Sequence, residues 1–321
     1  MKILMLGGTG FTGPHIVRRL DELGHQVTVV HRGETNADLP AGAREVLGDV
    51  ADPPQELRKL QPDVAIHMVA YSEADATRFL EMFRGHAGRA VVISSGEVYR
   101  AYGKLHRKEA GPPDPIPLDE DAPLRESRFP YRDRMDLGID TTFYDKILVE
   151  QTLRAQSELP VTILRYPGVY GPRDPYRRFK GWLDQMEAGE EIRIADDYAA
   201  LRWTHGYVED VAVAAVLAAT VERAAGRTYN VGNPGAPTTA EMVEELGRAA
   251  GWKGRVVPAP PDEIAAEYRF SHAHDFSHHM VMGTNRIRAE LGYREIVARE
   301  EGLRRTIGWE RAQRSPVSSS A

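Results

Sequence analysis

The chain has 321 residues, 42% hydrophobic and 27% charged, with a net charge of −6 and no cysteine. That length builds one large or two modest domains of ordinary globular composition. The charge argues against a surface that coats nucleic acid, and the lack of cysteine excludes disulfides, thiolate nucleophiles and cysteine metal sites.

The first six residues, Met1-Lys-Ile-Leu-Met-Leu6, read as a short apolar strand that runs into Gly7-Gly-Thr-Gly10-Phe-Thr-Gly13. A helix pattern follows, with Pro14 early and Ile16, Val17, Leu20 and Leu23 at helical spacing. A strand, a glycine loop and a helix N-terminus in that order present bare backbone N–H groups to a pyrophosphate. Glycine is needed because a side chain would hold the phosphates away and block the tight turn. A strand at the very start leaves no room for a signal peptide, and no apolar run approaches the ~20 residues of a membrane span. A cytoplasmic protein without a membrane partner is therefore expected.

Gln26–His31 reads as the second strand, 44–48 as the third and 63–70 as the fourth. Ser72-Glu-Ala-Asp75 opens a helix, 89–94 forms the fifth strand, a helix covers roughly 143–156, and 160–166 forms the sixth strand. Repeated strand–helix–strand units predict an α/β fold with a doubly wound parallel Rossmann sheet. Such sheets bind ligands at the carboxyl ends of their strands. Residues 100–142 are rich in proline and charge and predict a long structureless loop suited to a lid. From about Gly171 the pattern changes, and Thr238-x-x-Glu241 opens a helix from Thr239 to Ala250. The expected domains are a dinucleotide-binding Rossmann domain over 1–170, with 203–233 returning to it. A smaller C-terminal substrate domain is expected over 171–202 and 234–314, followed by a disordered tail at 315–321.

After the second strand stands His31-Arg32-Gly33, where an acid would bind the ribose 2′-hydroxyl of NAD. No acid is there, and Glu34 lies beyond the turn. Arg32 suits a 2′-phosphate through charge-assisted bonds, so NADP is the expected cofactor and NAD the alternative.

Taken together, these stretches resemble the extended short-chain dehydrogenase/reductases, the NAD-dependent epimerase/dehydratase family, from residue 1 to about 310. Gly7-x-x-Gly10-x-x-Gly13 is similar to that family's phosphate loop, and Gly48-Asp49-Val50 to its adenine-contacting turn. His67-Met-Val-Ala70 resembles its His-Leu-Ala-Ala element, and Ser94-Ser-Gly-Glu-Val-Tyr99 its strand bearing the catalytic hydroxyl, which falls on Ser95. Lys146-Ile-Leu-Val-Glu150 resembles its Lys-x-x-x-Glu, and 165–172 the loop flanking the nicotinamide. Arg202-Trp-Thr-His-Gly-Tyr-Val-Glu-Asp210 and Tyr229-Asn-Val-Gly232 resemble later landmarks. The resemblance implies cofactor contacts from Gly7, Gly10, Phe11, Thr12, Gly13, Asp49, Val50, Val69, Ala70, Pro167 and Val169, with Lys146 on the nicotinamide ribose. It also implies a small-molecule substrate, in particular a nucleotide-sugar, and brings in a homodimer as an expected assembly.

One departure stands out. The family pairs Tyr-x-x-x-Lys on one helix face, but the residue four before Lys146 is Thr142, a poor acid or base near neutral pH. Tyr144, two before Lys146, lies about 200° around a helix and substitutes only if the helix starts late, with Asp145 near its cap. Tyr102 and Tyr131 in the long loop are further alternatives. In nucleotide-sugar 4,6-dehydratases the stretch at Ser95 reads Thr-Asp-Glu-Val-Tyr, whereas here it reads Ser95-Gly-Glu97-Val-Tyr99. Glu97 is thus an acid–base candidate with a raised pKa, on the same side as Ser95 if the strand continues; otherwise it is a rim glutamate in solvent.

Arg173, Arg177 and Arg178 suit either a substrate diphosphate or the solvated surface, and Arg202 joins Arg173 and Arg178 as a substrate-binding candidate. His272-x-His274-Asp275-x-x-His278-His279 is dense in ligand types, but its spacing fits no metal motif, and a polar lid or interface loop is expected. The resemblance and the site residues together imply an NAD(P)-dependent epimerase, dehydratase or reductase acting on a nucleotide-sugar or similar hydroxy/keto substrate. The rivals lack redox turnover. One is a nucleotide sensor; the other is an RNA-binding protein of the chloroplast stem-loop-binding type, whose later segments resemble 187–194 and 204–211.

Overall fold

The alternation of apolar residues in the first strand sets the architecture. A computed structural model describes residues 1–132, 134, 139–189, 191–264 and 274–313. In chain order the first half holds β1 (Lys2–Leu6), α1 (Gly13–Glu22), β2 (Gln26–His31), β3 (Arg44–Leu47), β4 (Val64–His67), α2 (Glu73–Phe83), β5 (Arg89–Ser95), α3 (Arg100–Leu105), α4 (Lys146–Arg154) and β6 (Val161–Tyr166). There follow β7 (Gly168–Tyr170), α5 (Lys180–Glu187), β8 (Ile192–Ala195), α6 (Asp196–Ala200), β9 (His205–Tyr207), α7 (Val208–Thr220) and β10 (Thr228–Asn230). The last elements are α8 (Thr239–Ala250), β11 (Val256–Ala259), α9 (Asn285–Leu291) and α10 (Arg299–Ala312).

Seven of these strands form one parallel sheet in the order β3-β2-β1-β4-β5-β6-β10. Ile3 and Met5 join the apolar cluster with Ile16, Val17 and Leu20 of α1, and with α7. Leu4 and Leu6 point the other way, into the cluster with Phe79 and Phe83 of α2 and Val149 and Leu153 of α4. A strand buried on both faces needs apolar residues at every position, which is why β1 and β4 are continuous runs. The sheet reverses its order between β1 and β4, and a crevice opens there at the carboxyl ends of the strands.

β8 and β11 form a separate parallel pair packed by α5, α6 and α8, and β7 pairs with β9 above the main sheet. The predicted capping box of α8 is formed: Thr238 accepts from Glu241 N while Glu241 accepts from Thr238 N. A third apolar cluster joins α3 to Leu118, Leu201, Phe276, Met280 and Met282.

Three expectations need correction. The helix read from 143–156 starts only at Lys146, because Asp145 is extended and its Oδ1 caps Ile147 N at 2.9 Å. The segment 100–142 is not structureless: its described part contains α3, and bridges tie Tyr99 to Leu124 and Leu118 to Met282. Buried tyrosines and leucines among the prolines supply that order. The strand at Ser95 does not continue; Gly96–Val98 closes a single 3-10 turn, capped by the Ser95 hydroxyl. The expected tail at 315–321 and His272 lie outside the described residues. No helix among the described residues is long and apolar enough to cross a membrane.

Candidate active site

The glycine loop has the backbone its role requires. Gly7 and Gly8 sit at φ +76° and +138°, a region that disfavours any residue with a Cβ. A Cβ on Gly13 would lie 2.4 Å from the backbone of Gly8, so this glycine lets α1 close onto the loop. A Cβ on Gly10 would meet nothing within 4 Å. Thr12 caps α1 through its backbone with no side-chain cap bond, which leaves the helix N-terminus suited to an anion. A cleft of about 880 Å³ is walled by Arg32, Asp49, Val50, His67, Val69 and Tyr71, and Val69 lies beside Gly7 of the loop. His67 is buried, its Nδ1 has no partner among the described residues, and burial lowers its pKa to about 3, so it is neutral. These residues fit a dinucleotide.

The other cofactor candidates divide. Arg32 is exposed and paired with Glu34 at 2.7 Å. Pro167 lines an inner cavity of about 340 Å³ that adjoins the cleft. Phe11 packs on the main core, and Val169 is buried within β7. Ala70 is buried too, and its carbonyl accepts from Lys146 Nζ at 2.7 Å. Lys146 Nζ also donates to Ile93 O at 3.0 Å. Two of its three protons are so used, leaving one. The Tyr71 and Tyr144 rings lie 4.8 and 5.9 Å from this Nζ, and burial lowers its pKa to about 8.

Tyr71 and Tyr144 stack with ring centres 5.5 Å apart and line both the cleft and the inner cavity. Because α4 starts late, Tyr144 is not carried around a helix away from Lys146. Thr142 is on an exposed bend, its N–H bonded to Asp140 and its carbonyl to Arg132. Burial raises the Tyr144 pKa well above its ordinary value, so this hydroxyl holds its proton at neutral pH.

Ser95 and Glu97 both line the inner cavity. The Ser95 hydroxyl accepts from Glu97 N at 3.2 Å and keeps its own proton to give. Glu97 is buried rather than on a solvent rim. Its Oε2 accepts from Arg125 Nη2 at 3.1 Å, while Oε1 has no partner among the described residues. Arg125 also donates from Nε to the Glu97 carbonyl at 2.6 Å and passes within 3.8 Å of Asp145. Burial pushes the Glu97 pKa up and Arg125 opposes it, leaving it at about 7. The strand alternation that predicted this placement is absent; the 3-10 turn brings the carboxylate inward instead.

The substrate arginines do not act as one cluster. Arg178 lines the inner cavity, but its Nε is bound to the buried Asp174 at 2.8 Å. Arg173 donates to Asn36 O, Arg177 pairs with Glu310, and Arg202 Nε donates to Ala236 O at 2.9 Å. In the histidine-rich segment His279 Nδ1 accepts from Arg202 N, and His274 stacks on Phe276.

A model of the NAD dependent epimerase/dehydratase family matches residues 3–232, well over half of the chain. The chain belongs to that family. This epimerase/dehydratase-family chain is 29% identical to a 2′-dehydrokanamycin reductase of Streptomyces kanamyceticus, over 83% of its own length and 71% of the relative's. It is 25% identical to a dTDP-glucose 4,6-dehydratase of an Actinoplanes species, over 98% and 99% of the two chains. Its fold superimposes on a Thermus thermophilus UDP-glucose 4-epimerase in complex with NAD with a TM-score of 0.67, at 24% identity and over 98% and 100% of the chains.

Gly10 and Gly13 of the loop should separate folding from binding. Gly10→Ala is expected to leave the melting temperature unchanged, since its Cβ has free space, but to weaken dinucleotide binding by about tenfold or more by blocking close approach of the phosphates. Gly13→Ala should lower the melting temperature as well, because its Cβ would collide with the Gly8 backbone. Thermal melts and calorimetric titration with NAD and NADP check both.

Sequence reasoning missed Tyr71 and Arg125. Tyr71 follows the strand whose end it shields, a position the resemblance left unmarked. Arg125 sits among prolines and charges, and no local signal marks it as the buried partner of Glu97.

Proposed function

We propose that this family enzyme uses NADP to exchange hydride with a secondary alcohol or ketone of a nucleotide-sugar or similar hydroxy/keto substrate, by epimerisation, dehydration or reduction. The observation that carries the reading is the buried Glu97 carboxylate, poised near neutrality with one unpartnered oxygen in the wall of the inner cavity that adjoins the dinucleotide cleft. The nicotinamide, when bound, supplies the hydride donor or acceptor. Ser95 donates its hydroxyl proton to the reacting oxygen and orients it. Glu97 Oε1 takes up the substrate hydroxyl proton as the alcohol is oxidised and returns it as the ketone is reduced. Tyr144 keeps its proton and serves as a hydrogen-bond donor, and Lys146 places positive charge beneath it on the ribose side. Two of its relatives are a reductase and a dehydratase, which favours turnover over a sensor or an RNA-binding role.

Arg32 decides the cofactor in this reading. It borders the cleft, and a 2′-phosphate would take the place of Glu34 on its guanidinium. NADP is expected to bind more tightly than NAD by roughly 1.5–3 kcal/mol, the range of a hydrogen bond to a charged group. Arg32→Ala should level the two affinities, and Glu34→Ala should widen the gap. Calorimetric dissociation constants for both cofactors test this, and equal affinities in the wild type would overturn the NADP assignment. Loss of reduced nicotinamide fluorescence tests reduction of a candidate keto substrate, and NMR of the product tests epimerisation and dehydration, in which the cofactor is regenerated.

A further inference from the structure

A second cavity, of about 470 Å³, opens beyond the inner one. The two share Tyr102, Arg134, Gly168, Arg178 and Trp203 as a common wall. The far side is aromatic and apolar, with Phe179, Trp182, Tyr198, Leu201, Met242 and Phe276. Tyr198 and Phe276 meet with ring centres 4.8 Å apart, and Tyr102 meets Trp203 edge-on at 6.3 Å. The rings are therefore held as a preformed slot rather than filling it.

The charge of Arg178 beside this slot is already matched. Arg178 is bound by Asp174, a buried carboxylate that also accepts from the backbone of Arg178 and Tyr176. Arg134 is engaged as well. His106 and His205 also line the slot, and burial holds them neutral, at about 4 and about 3. Arg202, which precedes Trp203, is not part of the slot wall, and its Nε donates to the Ala236 carbonyl. A diphosphate running from the inner cavity into the slot would bring two negative charges beside Asp174, which already holds the Arg178 guanidinium.

We propose that this cavity binds an uncharged aromatic ring carried by the substrate, joined to the reacting hydroxyl or keto carbon without an intervening diphosphate. The proposal rests on the reading of the inner cavity as the reaction site and narrows its substrate to aryl-bearing hydroxy or keto compounds, such as aryl glycosides. The ring stacks among Trp182, Trp203 and Phe276, and its linker passes between Tyr102 and Arg178 to Ser95 and Glu97.

The chain has four tryptophans, and two of them line the slot. A nitrophenyl group quenches indole emission, so para-nitrophenyl β-glucoside reports its own binding. The expected result, with the cofactor-loaded full chain, is saturable quenching that methyl β-glucoside neither produces nor competes away. UDP-glucose at equal concentration should not relieve it. Trp182→Leu and, independently, Phe276→Leu should each weaken binding by about fivefold or more, as loss of an aromatic contact does. Absence of saturable quenching, relief by UDP-glucose at comparable concentration, or unchanged affinity in whichever variant folds would overturn the proposal. Calorimetric titration of NAD and NADP on the same samples keeps the two readings apart. A protein that binds dinucleotide but shows no quenching loses only this inference, and one that binds neither cofactor loses the proposed function.

Discussion

Glu97→Gln is expected to lower turnover by about 10²–10⁴-fold, the usual worth of a positioned acid–base group, while leaving dinucleotide affinity unchanged. The amide keeps the shape and the contact with Arg125 but has no titratable proton. The pH profile identifies the group. Burial, opposed by Arg125, sets Glu97 at about 7. Oxidation of an alcohol needs the carboxylate, so its rate should rise as pH passes about 7, then decline as Lys146, lowered by burial to about 8, loses its charge. Reduction of a ketone needs the protonated form, so its rate should fall above about 7. Both limbs near 7 should vanish in Glu97→Gln. A variant that keeps its rate and its limb would assign the proton to another residue.

The second large effect is on stability. Glu150 and Arg165 are fully buried and joined by two parallel bonds, Nε to Oε1 at 2.9 Å and Nη2 to Oε2 at 2.7 Å. Ser94 donates to the same carboxylate, and Arg165 reaches on to Tyr99 and the Glu120 carbonyl. Glu150→Ala strands a guanidinium beneath the sheet and should cost about 3–5 kcal/mol in urea unfolding. Glu150→Leu combined with Arg165→Met should recover much of that loss, because no charge is then left buried without its partner. Burial opposes ionisation of Glu150, and the Arg165 bonds outweigh it, so its pKa lies below the ordinary 4.5. Its contribution is complete above about pH 4.5 and disappears as pH falls through the lower folded value. A double variant no more stable than Glu150→Ala alone would contradict this account.

The sheet and the glycine loop were legible because their determinants are local. Apolar runs in β1 and β4, glycines at left-handed turns and a capping box each act within a few residues. The start of α4 was misjudged because its apolar periodicity extends past the capping Asp145, and only the cap decides where the helix begins. Glu97 was found from its place in a motif, but the reason it faces inward was not. Its orientation depends on a 3-10 turn and on Arg125, 28 residues away. The arginines after Gly171 read equally as a diphosphate site or as solvated surface, because composition cannot reveal that Asp174, Glu310 and two carbonyls accept from them. The aromatic slot draws residues from α3, α5, α6, α8 and the 274–276 segment, so it has no sequence signature at all.

Asp145 governs which hydroxyl can reach this site. Its carboxylate caps Ile147, accepts from Phe129 N at 2.8 Å and lies 3.8 Å from Arg125, while its own N–H bonds Tyr71 O at 2.9 Å. Residue 142 therefore sits outside α4, on a bend tied to Asp140 and Arg132. Restoring tyrosine at 142 alone would put a phenol in solvent, not above Lys146. A helix that begins at Lys146 thus selects which hydroxyl faces the inner cavity: it is that of Tyr144, and residue 142 is left on the outside.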